Sequence, residues 1–125
     1  MIDFQEESLF KLKAIDNEKA REDFHRFLIE GENIFATFKS IRDQVVFTNK
    51  RVIAANVQGI TGSKVDYTSI PYSKIQTFSI ETSGSFDRDC ELELYISAVG
   101  KVSFELSGSF DIIGFNQVLS QHVLS

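Results

Sequence analysis

One cysteine and two histidines are the side chains best suited to nucleophilic, acid–base or metal chemistry in this 125-residue sequence. His25 and His122 lie far apart on two predicted helices, and neither has a Cys or His at metal-ligand spacing. Cys90 begins a predicted strand on its apolar side, where packing explains a thiol better than nucleophilic reactivity does. We therefore expect no catalytic residue, no metal site and no cofactor, and a protein that is not an enzyme.

Acidic side chains offer a weaker candidate for chemistry. Glu91 and Glu93 lie on the wet side of one predicted strand, and Asp87 and Asp89 precede them. The segment lacks the alternating ligands and central glycine of a calcium loop, so a solvated acidic surface is the better interpretation. An enzyme that uses Glu91, Glu93 and His122 is the least favoured alternative.

Composition excludes several broad classes of protein. The chain is 42% hydrophobic, enough for one core in a domain of this size. No apolar run reaches the roughly 20 residues of a membrane-spanning helix, and the acidic residues 1–7 lack the profile of a secretory signal. A single cysteine fits a reducing compartment, so we expect a cytoplasmic protein. The net charge of −5 argues against a nucleic-acid partner.

Hydrophobic periodicity predicts helix in about the first thirty residues. The main helix is expected to begin at Asp16 or Asn17 and to stop at Gly31. Four apolar side chains share one of its faces: Ala20, Phe24, Phe27 and Leu28. A second, short helix is predicted over residues 6–14.

Alternation with a period of two predicts seven strands in the rest of the chain. Their expected positions are residues 34–40, 44–48, 51–57, 64–67, 75–81, 90–98 and 101–106. A final helix, beginning near Ser109, has one apolar side. Two nearly orthogonal antiparallel sheets, capped by this helix, would bury these strands. The prediction is a mainly β (α+β) fold, with an amino-terminal helical segment (1–31) before the sheet domain (32–125), in one compact domain overall.

Several motifs, in this order, resemble the bacterial pleckstrin-homology (PH) domains. They are FTNKRVI at 47–53, QGITG at 58–62, IPYSKI at 70–75, ETSGSFD at 81–87 and ELEL at 91–94. The resemblance covers about residues 30–124. It implies a PH-like barrel of seven strands in two orthogonal sheets, closed by the C-terminal helix, with an added amino-terminal helix. It also implies a non-catalytic module that forms ring-like homo-oligomers.

Charge is distributed unevenly along the chain. Residues 32–74 hold six basic and three acidic side chains, for a net charge of +3, whereas residues 1–31 carry −3 and residues 75–125 carry −5. Opposite poles of neighbouring copies could match head to tail and close a ring, which we expect to contain about five or more subunits. Phe35 and Phe86 are candidate interface aromatics. The alternatives are burial of Phe35 under the amino-terminal helix and a loop at Phe86 that covers the barrel end.

Anionic lipid is the alternative partner. Where PH domains bind phosphoinositides, the resemblance implies basic residues on the first two strands and their connecting loop, and here that region offers Lys39 and Arg42 beside Asp43. Candidate residues for an anionic ligand or a protein interface are Lys39, Arg42, Lys50, Arg51 and Lys64. Specific headgroup binding needs several convergent cations, so we favour a protein-interaction and self-assembly module with a further, unknown protein partner.

Overall fold

The computed structural model describes residues 1–5, 11–82 and 89–125. These residues form eight strands and two α-helices: β1 (Leu12–Ile15), α1 (Glu22–Phe27), β2 (Ile34–Lys39), β3 (Gln44–Thr48), β4 (Arg51–Gln58), β5 (Lys64–Pro71), β6 (Thr77–Thr82), β7 (Cys90–Ile96), β8 (Gly100–Ser107) and α2 (Ile112–Val123). The seven predicted strands correspond to β2–β8. The mainly β fold with a C-terminal capping helix is confirmed, and β1 is an additional strand.

Strand β1 lies where the sequence predicted the end of a short helix. Residues 6–10 fall outside the described part of the chain, but Leu12–Ile15 is extended. Ala14 lies opposite Phe38 of β2, and Leu12 lies beside Leu106 of β8. The helix prediction is therefore wrong for residues 12–14. The four-residue segment Leu-Lys-Ala-Ile is too short to show a decisive periodicity of its own, and pairing with two neighbouring strands sets its conformation.

All eight strands belong to one hydrogen-bonded sheet in the order β5-β4-β3-β2-β1-β8-β7-β6. Among the strand pairs of the described residues, β1 with β8 is the one parallel pair. Two strands separate β3 from β8 in this order, yet the rings of Phe47 and Phe104 on those strands lie 6.2 Å apart. The sheet therefore folds over on itself, and the two predicted layers are halves of one sheet. The strand order assigns β2–β5 to one half and β6–β8 to the other, with β1 joining them.

Helix α2 closes the core between these two halves. Its buried side is formed by Ile112, Phe115 and Leu119, the apolar face expected from the sequence. The ring of Phe115 packs edge-on against Phe47 at 5.0 Å and against Phe38 at 5.8 Å. Edge-to-face aromatic packing adds to the burial energy of each ring, so α2 is an integral part of the core.

Helix α1 covers the outer face of the β2–β5 half and is shorter than predicted. It begins after Arg21 and ends at Phe27, because Leu28 is already extended. The predicted start lies in a separate 3-10 turn, Asn17–Lys19, which Asp16 precedes without a side-chain cap. The side-chain oxygen Oδ1 of Asn17 accepts a hydrogen bond from the hydroxyl of Thr37 at 2.9 Å. Phe24 is fully buried, as its place on the apolar face predicted, whereas Phe27 is 44% exposed.

Residues 1–5 link one edge of the sheet to the turn between β7 and β8. The Ile2 side chain is buried, and its backbone N–H donates to Oγ1 of Thr68 on β5 at 2.9 Å. The side-chain amide of Gln5 donates to the carbonyl of Lys101 on β8 at 2.8 Å. No helix in the described ranges has the length and apolar character needed to cross a bilayer.

Candidate functional site

The β2–β3 turn and the β4–β5 loop lie side by side at one end of the sheet. The guanidinium of Arg42 donates to the carbonyl of Gly59, and the Asp43 carboxylate accepts the backbone N–H of Val57 at 2.9 Å. The first hydrogen bond joins the two loops, and the second ties the β2–β3 turn to the end of β4. The isoleucines of these loops, Ile41 and Ile60, are fully exposed. We call the surface formed by residues 39–43 and 59–64 the basic tip.

The five basic residues singled out in the sequence are divided between two ends of the sheet. Lys39 is the last residue of β2 and Lys64 the first residue of β5, and both are exposed. With Arg42, three of the five therefore lie at the basic tip. Lys50 and Arg51 lie at the opposite end of β4. That strand has eight residues, which at about 3.3 Å per residue separates the two groups by roughly 20 Å or more. The five cations therefore do not converge on one ligand.

Arg51 forms an ion pair within the fold. Its guanidinium forms a two-pronged ion pair with Glu32, with both N–O distances at 2.9 Å. Burial acts to raise the pKa of Glu32, but hydrogen bonds from Arg51, Thr48 and the Ile29 backbone outweigh it and hold the pKa below its usual value. Arg51 therefore stabilises the fold at this position and is not available as an open anion-binding group.

A groove of about 850 Å³ runs between the β1–β2 edge of the core and the first turns of α2. Its floor is aromatic and consists of Phe35, Phe38, Phe110 and Phe115. Three exposed carboxylates line it: Asp16, Glu18 and Asp111. Gly114 also lines it, and a Cβ there would collide with the Asp111 carboxylate. No lysine or arginine of the described residues lines this surface, which we call the acidic groove.

The two predicted interface aromatics have different outcomes. Phe35 is half-buried against α2, with its ring 5.9 Å from Phe115 and 5.8 Å from His122. It therefore lies on the floor of the acidic groove and not under the amino-terminal helix. Phe86 lies outside the described residues.

A row of carboxylates crosses the exposed face of the β6–β8 half. Glu91 of β7 lies directly opposite Glu81 of β6 and Glu105 of β8. Partial burial and the neighbouring charges of Glu93, Glu81 and Glu105 raise the pKa of Glu91. Across residues 1–5, 11–82 and 89–125, no group of three His, Cys, Asp or Glu side chains is placed to hold a metal ion. The row is an acidic surface.

The cysteine and the histidines are dispersed. Cys90 is buried, and the loss of hydration, together with the charge of Asp89, raises the pKa of its thiol to about 11. The ring of His122 stacks on Tyr72 at 6.1 Å, whereas His25 is exposed on α1. These three side chains do not form one constellation.

Comparison with known proteins gives consistent results. A sequence model of the bacterial PH domain matches residues 3–123. Two proteins of Bacillus subtilis strain 168, both named as uncharacterized, are similar in sequence. YjqA is 51% identical over 77 residues, which is 62% of this chain and 62% of YjqA. YozO is 34% identical over 98 residues, which is 78% of this chain and 84% of YozO. The matched region thus spans less than two thirds of the length of YjqA.

Solved structures show the same fold. A DUF1696-family protein with a pleckstrin-homology domain from Shewanella loihica PV-4 has a TM-score of 0.74 and 34% identity, over 90% of this chain and 97% of that chain. A pleckstrin-homology domain from Shewanella amazonensis SB2B has a TM-score of 0.62 and 38% identity, over 89% and 90% of the two chains. The family match begins before β1 and ends at the last residue of α2. The chain therefore belongs to the bacterial pleckstrin-homology domain family.

Proposed function

We propose that this PH domain is a non-catalytic module that acts through protein contacts, and first of all through contacts between its own copies. Separation of charge in the folded sheet supports this most directly. Strands β2–β5 come from the stretch of net charge +3, and strands β6–β8 come from the stretch of net charge −5. The strand order keeps these two groups in separate halves of the sheet.

The carboxylate row on β6–β8 strengthens this interpretation. Like charges directly opposite one another on neighbouring strands destabilise a sheet. Glu81, Glu91 and Glu105 nevertheless occupy three consecutive positions across it. A cationic surface on another molecule would relieve this repulsion. The β2–β5 half comes from the positively charged stretch, so copies can match opposite charges head to tail, and contacts of this type close into rings when the rotation allows.

The dispersed reactive groups support a non-catalytic role. A nucleophilic cysteine is exposed and has a lowered pKa, whereas Cys90 is buried and its pKa is raised to about 11. General acid–base catalysis needs a base within hydrogen-bond reach of its substrate. Within the described ranges, His122 packs against two aromatic rings and Glu93 pairs with Lys101 at 3.4 Å.

Native mass tests the proposal. Light scattering at tens of micromolar protein should give a mass of several 14.2 kDa chains at low salt, and a ring of about five or more subunits is expected. The assembly should weaken as salt is raised, because charge matching is screened. A monomer at both low and moderate salt would overturn the proposal. If that monomer also sediments with anionic vesicles at low salt, lipid binding replaces self-assembly as the function.

A further inference from the structure

We propose that the basic tip of one copy docks in the acidic groove of a neighbouring copy. This contact rests on the proposed self-assembly and identifies the two surfaces that meet. Both surfaces are built from described residues, and they share no residue.

The basic tip presents apolar side chains that nothing in the described chain covers. Ile41 and Ile60 are fully exposed at the ends of two separate loops. Scattered exposed apolar residues are ordinary, but these two lie on neighbouring loops that are joined by the hydrogen bond from Arg42 to the Gly59 carbonyl. A tip that is already ordered loses little conformational freedom on docking. Exposed Lys39 and Lys64 flank the isoleucines and give the tip a positive border.

The acidic groove has the complementary composition. Its aromatic floor offers an apolar surface to an isoleucine side chain, and its volume of about 850 Å³ exceeds that of one branched side chain several-fold. Its carboxylates come from the two acidic stretches of the sequence, Asp16 and Glu18 from the first and Asp111 from the last. An apolar centre with a charged border is the usual anatomy of a specific protein interface.

A second copy fits the basic tip better than a membrane does. Segments that bind anionic lipid carry clusters of about four to eight cations, whereas this tip has three, one of which is bound to a loop carbonyl. The remainder of the chain is acidic, with a net charge of −5 overall, and an anionic surface would repel it. Docking between copies uses both the exposed isoleucines and the acidic groove. Because each copy has one tip and one groove, the contact can continue from copy to copy.

Complementation between two variants tests this contact. The tip variant carries Ile41→Asp and Ile60→Asp, and the groove variant carries Asp16→Lys and Glu18→Lys. All four positions are on the surface, so both variants should keep the wild-type circular dichroism spectrum and melting temperature. Each variant alone should need a protein concentration about tenfold or more above that of the wild type to assemble. Mixed together, they should form a one-to-one dimer, because the mixture has one intact tip and one intact groove.

Matched controls are Ile113→Asp and Glu30→Lys, which make the same kinds of change at exposed positions outside both surfaces. They should assemble like the wild type. If the wild type assembles and both test variants assemble equally well, self-assembly stands and this contact is wrong. If the wild type is a monomer, the proposed function fails and the contact fails with it. If the tip variant loses vesicle binding and keeps the wild-type mass, the tip serves a membrane and the contact is overturned.

Discussion

Nε and Nη2 of Arg51 each lie 2.9 Å from a carboxylate oxygen of Glu32, nineteen positions earlier in the chain. The same guanidinium donates to the carbonyl of Phe27, the last residue of α1, at 3.0 Å. The Glu32 carboxylate also accepts the hydroxyl of Thr48 at 2.7 Å and the Ile29 N–H at 3.1 Å. One ion pair therefore ties helix α1 and its exit to strands β3 and β4.

Glu32→Gln should lower the free energy of unfolding by about 2–3 kcal/mol, because it leaves a largely buried guanidinium without its counter-charge. Urea denaturation at pH 7 measures the change. Lys50→Gln is the matched control, since it alters an exposed charge one residue from Arg51, and it should change stability by no more than about 0.5 kcal/mol. Equal effects of the two substitutions would show that the pair contributes nothing specific.

Acid should remove the contribution of this ion pair. The pKa of Glu32 in the folded protein is below its ordinary value of 4.5, so the unfolded chain binds a proton more readily than the folded one. The stabilisation is therefore complete above about pH 4.5 and is lost as pH falls through the folded pKa. Denaturation curves across this range should show the wild type and Glu32→Gln converging at low pH. A constant difference down to pH 3 would contradict the assignment.

Glu91→Gln should stabilise the protein by about 0.5 kcal/mol at pH 7, because it removes the middle charge of the carboxylate row. The pKa of Glu91 is raised in the folded state, so the folded protein takes up its proton first and loses stability as pH rises from the ordinary value towards the folded pKa. The gain should vanish near pH 4. Thermal melts at both pH values test this, with Glu30→Gln as an exposed control outside the row. A lower melting temperature for Glu91→Gln at pH 7 would be the contrary result.

Phe24→Ala should cost about 3–5 kcal/mol, because the ring is fully buried between α1 and the outer face of the sheet. Phe27→Ala, three residues on, should cost less than half as much, since that ring is 44% exposed and rests edge-on against Tyr67. Chemical denaturation of both variants gives the comparison. Similar losses of stability for the two variants would mean that Phe27, at the C-terminal end of α1, contributes as much as the buried Phe24.

The Cys90 thiol should react slowly in the folded protein. It is buried and its pKa is raised to about 11, so the thiolate that attacks a disulfide reagent is scarce at pH 8. We expect labelling by a chromogenic disulfide to be about 100-fold or more slower than in denaturant, since it requires local opening. Labelling that is complete within the mixing time in the folded state would show an accessible, activated thiol.

The sequence predicted the strands better than the helices, for a physical reason. Strands β6–β8 alternate between more and less buried positions, and this pattern is visible in the residues themselves. Strands β3 and β4 are buried at nearly every position and are recognisable as short apolar runs between turns. Strand β1 has only four residues, and its pairing with Phe38 and Leu106 decides its conformation. The predicted helix start at Asp16 or Asn17 is the start of a 3-10 turn, Asn17–Lys19, and α1 begins only at Glu22. The Asn17 side chain bonds to Thr37, twenty positions away, a contact that the local sequence does not reveal.

The candidate site was less predictable than the fold. The count of charges identified a basic stretch but could not reveal that Arg51 forms an ion pair with Glu32. The isoleucines of the basic tip were missed, although an apolar residue inside a polar turn, as at Ile41, was a usable signal. No local sequence pattern indicated the acidic groove, because its lining comes from three separate segments of the chain.

The parallel pairing of β1 with β8 has a consequence for folding during synthesis. The hydroxyl of Ser107 on β8 donates to the carbonyl of Leu12 on β1 across 95 positions of sequence. On the ribosome, the β2–β5 meander can form early from local contacts, whereas β1 must wait for β8 to emerge. Pairing of strands so distant in sequence requires closure of a long loop, which is entropically unfavourable. We therefore expect the pairing of β1 with β8 to be the slow, late step in folding of the nascent chain.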